Sequence, residues 1–170
     1  MMVTTTKFTR DDYMALPEGY PAQLIEGDLV KSPSPTYGHQ RASVRLVGRL
    51  IELVGDDRVV FAPMDVFIDR HNVYQPDVLV LPEPLPADVP EVGIPCLVIE
   101  VLSPSTRRRD RRQKLDHYLE AGVAEVWFVD PEPKWIEIVT LRGDARYRGD
   151  ETAESEIVPG FSITADWLFA

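Results

Sequence analysis

The chain has 170 residues and a formal net charge of −10, with 28 acidic side chains against 18 basic ones. Its 44% apolar and 27% charged content is ordinary for a globular protein large enough to bury a core. No run approaches the roughly 18–20 apolar residues of a membrane span. The single cysteine, Cys96, excludes an internal disulfide and a cysteine-based metal cage. The acidic balance opposes a tight, non-specific grip on phosphates by a monomer, while remaining compatible with a locally basic groove. The opening "MMVTTTKFTRDD" turns polar too early for a signal peptide, which points to the cytoplasm.

In chain order, "FTRDDYMAL" predicts a short helix, N-capped by Thr9, with Asp11 and Asp12 in its first turn and Pro17 and Gly19 beyond its end. "AQLIEGDLVK" alternates around Gly27-Asp28 and predicts two strands joined by a tight turn. After the loop "SPSPTYG", apolar spacing predicts a helix from about His39 to Val54 that buries Val44, Leu46, Val47, Leu50, Ile51 and Val54. "RVVFAPMDVFID" and "YQPDVLVLP" predict strands around a turn at Arg70 to Asn72. Repeated prolines make "PEPLPADVPEVGIP" a loop.

"CLVIEVL" predicts the most buried strand. "SPST" then caps a helix from about Arg107 to Ala121, closed by Gly122. "AEVWFVD", "WIEIVTLR" and "ARYRG" predict strands, and "TADWLF" a terminal helix. The strand–helix–strand passage from Pro95 to Asp130 requires part of the sheet to be parallel, while the hairpins add antiparallel edges. The expectation is one α/β domain over residues 1–170, a mixed β-sheet flanked by helices.

Two carboxylates stand out in this frame. Glu100 sits inside "LVIEVL", where a charge needs a cation, hydrogen bonds or neutralisation. Asp77 follows Pro76 at the mouth of the preceding apolar run, as a turn cap or as a ligand. On neighbouring strands the two could converge on one divalent ion, and oxygen-only ligation suits Mg²⁺ or Mn²⁺. Lys114 can be tested by reach. Three more strand residues carry the chain about 10 Å beyond Glu100, and a helix folding back from Thr106 returns about 12 Å. The ammonium group can therefore hang over Glu100; the alternative is a surface lysine paired with Asp110 one turn earlier. Two carboxylates, a lysine and a divalent metal fit hydrolysis of a phosphodiester.

The run "RRRDRRQK" clusters cations at a helix start, against the macrodipole. Phosphate binding by Arg107, Arg108 and Arg111 would give a reason for it; a solvated helix start is the plainer reading. His71 and His117 read as incidental, Tyr118 as core or site wall, and Trp127, Phe128 and Trp135 as packing. No HExxH, Gly-rich phosphate loop or nucleophile elbow occurs.

"LIEGDLV", "GHQ", "QPDVLVL", "VIEVLSPSTRRRD", "KLDHYLEAGVAEVWFVDP" and "IEIVTL", in this order over nearly the whole chain, resemble the Uma family, whose members are described as candidate restriction endonucleases within the PD-(D/E)XK nuclease superfamily. The resemblance implies a restriction-endonuclease-like fold, DNA as substrate and a homodimer. It makes Asp77 the aspartate of the "PD" element and Glu100 the second acid, with the backbone carbonyl of Val101 assisting the metal. The simplest superfamily pattern puts its lysine two residues after that acid, which is Leu102 here. The Uma-type variant takes the lysine from the next helix, which is Lys114. Glu26 of "LIEGDLV" resembles an acid thought to line the site, and His39 of "GHQ" one near the metal shell or substrate; a hairpin-edge acid and a helix-start histidine are their plainer readings. The competing function is a non-cleaving domain that keeps the fold as a DNA- or protein-binding regulatory module.

Overall fold

The computed structural model describes residues 7–104 and 110–170. Helix α1 (Arg10–Met14) begins as expected: Thr9 accepts from the Asp12 N–H, and Asp12 accepts in return from the Thr9 N–H, a complete capping box. Strands β1 (Ala22–Ile25) and β2 (Asp28–Lys31) form a two-residue hairpin in which Ile25 pairs with Asp28. Its turn residues are therefore Glu26 and Gly27, one position earlier than expected. Both have positive φ, 50° and 78°, the backbone of a type I′ turn.

Helix α2 (Tyr37–Val54) starts two residues before the expected His39, because Thr36 is the N-cap and accepts from the His39 N–H. Its buried stripe is Ala42, Leu46 and Leu50, a clean four-residue repeat. Val44 and Ile51, expected inside, are instead 68% and 38% exposed.

Two prolines divide the expected long strands. Pro63 separates β3 (Val59–Phe61) from β4 (Asp65–Asp69), and Pro76 separates β5 (Asn72–Tyr74) from β6 (Val78–Val80). A proline cannot donate to a ladder, so at each one the chain leaves one sheet for another. A short β7 (Glu91–Val92) lies within the proline-rich stretch read as loop. Then come β8 (Leu97–Val101), a single π-helical turn over Asp110–Lys114 that continues as α3 (Leu115–Ala121), β9 (Glu125–Asp130), β10 (Trp135–Thr140) and β11 (Gly143–Arg148). Gly122 closes α3 in the left-handed conformation, φ 106°, as its position suggested. Strands β12 (Thr152–Glu154) and β13 (Ser162–Thr164), which the sequence reading missed, precede α4 (Ala165–Leu168).

The main sheet has the order β11-β10-β9-β8-β6-β3, parallel between β8 and β9 and antiparallel elsewhere. A second sheet, β2-β1-β5-β4-β7, is antiparallel except for β4 with β7. Side-chain alternation along β8 serves both faces of the main sheet. Leu97, Ile99 and Val101 enter a core with Leu46 and Leu50 of α2, Trp127 and Phe161. Val98 and Leu102 enter another with Tyr74, Leu79, Tyr118 and Phe128, formed where the second sheet and α3 cover the opposite face. Each fully buried leucine here contributes roughly 1.5–3 kcal/mol. By parity Glu100 belongs to the second face, inside an apolar cluster.

Candidate active site

Glu100 is 2% exposed, a cost that only partners can offset. They come from the helix that follows. Lys114 Nζ donates to Glu100 Oε1 at 3.1 Å and Tyr118 Oη donates to the same oxygen at 2.7 Å. Lys114, itself 2% exposed, closes the single π-helical turn, one helical turn before Tyr118. The sequence spacing that permitted Lys114 to fold back over Glu100 is realised in the fold. The surface-lysine alternative is not.

Asp77 reaches the same place from β6. Val78 pairs with Ile99 in antiparallel register, which sets Asp77 opposite Glu100 and Pro76 opposite Val101. The ladder stops at Val78, so the Asp77 side chain just before it is free to turn along the ladder direction. Pro76 has no N–H for the Val101 carbonyl. In the facing direction the Val101 N–H donates to Asp77 Oδ2 at 2.7 Å, so a side chain completes the ladder where the strand has ended. The Asp77 carbonyl accepts from the Ala62 N–H at 3.1 Å, fixing the backbone from the β3 side. His39, in the first turn of α2, brings Nε2 to 3.1 Å from Asp77 Oδ1. Asp77, Glu100, Val101 and His39 all line one cleft of roughly 750 Å³.

A second network lies behind Lys114. The Lys114 ammonium stands 5.7 Å from the ring centroid of Tyr74, and the Tyr74 and Tyr118 rings meet edge to face at 5.4 Å. Asn72 is oriented by its neighbours: its Nδ2 donates to Asp69 and its Oδ1 accepts from the Glu26 N–H. Tyr74 Oη must then donate to Asn72 Oδ1, at 2.8 Å, and accept from Nδ1–H of His117. That places a proton on His117 Nδ1 and gives the residue a structural part, where the sequence had suggested none. Burial, then the Asp69, Glu26 and Glu100 carboxylates, push the Tyr74 phenol up from its ordinary value, so it stays neutral.

Glu26 and Arg111, the remaining candidates among the described residues, do not line the cleft. Glu26 is exposed on the β1–β2 turn, and its carboxylate accepts from Gln113 at 3.4 Å. That partner is the residue next to Lys114. Arg111 is bound to the buried Glu137 of β10 at 2.8 Å, a partner it shares with Arg146 at 3.0 Å. Arg107 and Arg108 lie outside the described residues. Tyr118 is the contributor that sequence reasoning missed as a partner of Glu100; its spacing of four from Lys114 on one helix was the available signal.

The donors fit a hard divalent cation in part. Among the described residues no group of three or more His, Cys, Asp or Glu side chains is close enough to hold a metal. Two carboxylates and a main-chain carbonyl, with water or phosphate oxygens making up the shell, match the habit of Mg²⁺, which keeps several waters. They do not match a structural zinc cage.

The mixed sheet, with acids on adjacent strands and a lysine supplied by the helix joining β8 to β9, defines a restriction-endonuclease-like α/β architecture. A family model described as "Putative restriction endonuclease" (Uma2) matches residues 10–166. The chain belongs to the Uma2 family. It is also similar in fold to a crystal structure titled as a putative nuclease belonging to DUF820 from Anabaena variabilis ATCC 29413. The TM-score is 0.83 at 20% identity, over 95% of this chain and 97% of that one. No curated protein matches. Among the described residues no helix is long and apolar enough to cross a membrane.

Proposed function

We propose that this protein is a metal-dependent endonuclease that hydrolyses DNA phosphodiester bonds. The observation that carries the reading is the meeting of Asp77 and Glu100 in one cleft from opposed strand positions, with Lys114 seated on Glu100. Asp77, Glu100 and the Val101 carbonyl, which Pro76 leaves without a ladder donor, would hold Mg²⁺ or Mn²⁺. The ion supplies Lewis acidity toward the phosphate and makes water a better nucleophile. Asp77 is held for that task by the Val101 N–H and His39, and Glu100 by Lys114 and Tyr118. Lys114 keeps a positive charge beside the carboxylates, which favours the extra negative charge of the phosphoryl transition state. His39, at the cleft wall, contacts the outer side of Asp77 and faces arriving substrate.

The homodimer that the family resemblance implies belongs to this proposal, and light scattering of the purified protein tests it. The activity is tested by incubating plasmid DNA with the protein in Mg²⁺ or Mn²⁺, beside Asp77→Ala and an EDTA control. Cleavage by the wild type that both controls abolish supports the reading. Identical behaviour of wild type and Asp77→Ala replaces it with the non-cleaving, regulatory alternative.

A further inference from the structure

The cleft that holds Asp77 and Glu100 is walled elsewhere by side chains with little charge. Phe61, on the edge strand β3, is 61% exposed, and Val44 of α2 is 68% exposed. Val47, Pro33, Pro35 and Pro63 extend this apolar wall. Gln40, Ser43 and Gln75 add amide and hydroxyl groups. Among the described lining residues Lys31 is the one lysine or arginine.

These features discriminate between forms of nucleic acid. A duplex is gripped chiefly through its phosphates, by several cations at once, while its base faces stay stacked out of reach. The net charge of −10 weighs against such a grip. An unpaired strand offers its base faces to an aromatic ring and its base edges to amides and hydroxyls. The cleft's roughly 750 Å³ also falls in the range of small-ligand sites, about 300–1,000 Å³, room for a few nucleotides of one strand. Finally, Glu100 is nearly inaccessible at the cleft floor, a depth that a flexible strand reaches more easily than a stiff double helix.

We infer that the cleft takes an unpaired DNA strand, with bases against Phe61 and Val44 and one phosphodiester directed to Asp77 and Glu100. This substrate class rests on the nuclease reading above. The 61% exposure of Phe61 leaves its ring open to a base. The amide of Gln40 can turn either a donor or an acceptor toward a base, while Gln75, whose Nε2 donates to Asp65 Oδ1, keeps its Oε1 as an acceptor.

Anisotropy titrations of the full chain test it, using a labelled short single strand and a hairpin duplex of the same sequence, with Ca²⁺ replacing Mg²⁺ to suppress cleavage. The single strand is expected to bind about tenfold or more tighter than the hairpin. Phe61→Ala is expected to lose about tenfold in single-strand affinity with an unchanged unfolding temperature. Leu141→Ala, equally apolar but in the turn after β10 and 81% exposed, is expected to bind as wild type. Equal or tighter binding of the hairpin, no binding of either, or no effect of Phe61→Ala overturns the inference. Hydrolysis of the minimal diester bis(p-nitrophenyl) phosphate reads the nuclease proposal separately. Diester hydrolysis joined to hairpin preference sinks the strand inference alone. Single-strand preference with no hydrolysis of any substrate supports the strand inference and sinks the nuclease reading.

Discussion

Lys114 and Glu100 form an ion pair at 3.1 Å in which each residue is 2% exposed. Such a pair is weak evidence for net stability, because both ions lose their hydration. Removing one partner is another matter, since the other charge is left buried. Lys114→Met is therefore expected to destabilise the fold by about 3–5 kcal/mol. Adding Glu100→Gln is expected to recover much of that loss without restoring cleavage. Urea unfolding of the single and double variants measures the coupling; simple additivity would mean that the pair is not what holds Glu100 in place.

Tyr118→Phe removes one hydroxyl and keeps the ring that packs on Tyr74. Hydrogen bonds to charged groups contribute about 1.5–3 kcal/mol, and Lys114 still satisfies Oε1 here, so a loss near the lower end is expected. Cleavage should fall as well, because Glu100 loses one of its two named anchors. Titration with Mn²⁺ separates the two effects: a carboxylate free to rotate binds the ion more weakly even at temperatures where the fold is intact.

The main sheet and the two acids were legible for one reason: a buried apolar strand is easily recognised, and a charge inside it violates the pattern. Glu100 in "LVIEVL" is that violation, and its position also gave the length by which Lys114 must return. Asp77 was legible as the residue after Pro76 at the entrance of an apolar run, with its role implied by the family resemblance; that Pro76 divides two strands was not. What was not legible depends on tertiary context. Periodicity offered several stripes on α2, and the chosen one included Val44 and Ile51. The real one runs through Ala42, whose small side chain carries little hydropathy signal. Tyr118 read as core because a phenol's partner is invisible without coordinates. Strand β12 is "TAE", with only Ala153 buried, and nothing in so polar a segment announces a strand.

Asp12 gives a pH dependence whose sign is fixed. Hydrogen bonds from the Thr9 backbone, then from the Thr9 side chain, hold its carboxyl below its ordinary value of 3.8. A depressed carboxyl stabilises the fold above the unfolded value, and that stabilisation fades as pH falls through the folded one. Thermal unfolding of wild type and Asp12→Ala should differ at about pH 6 and converge at about pH 2. A gap that persists in acid would mean that the capping box works without the charge.

Glu26 separates a turn residue from a site residue. It adopts φ 50°, in the left-handed region, followed by Gly27 at 78°. A two-residue type I′ turn prefers Asn-Gly, since asparagine tolerates positive φ better than glutamate does. Glu26→Asn should stabilise the protein by up to about 1 kcal/mol, because the strain at this position is relieved. The side chain it removes contacts Gln113 only at 3.4 Å on the surface. Its backbone N–H, the donor to Asn72 that orients Tyr74, is kept. Cleavage rates at or near those of the wild type, together with a higher unfolding temperature, are the expected result. A large loss of cleavage without loss of stability would instead place the Glu26 carboxylate in the chemistry, reaching the cleft by a movement of the hairpin.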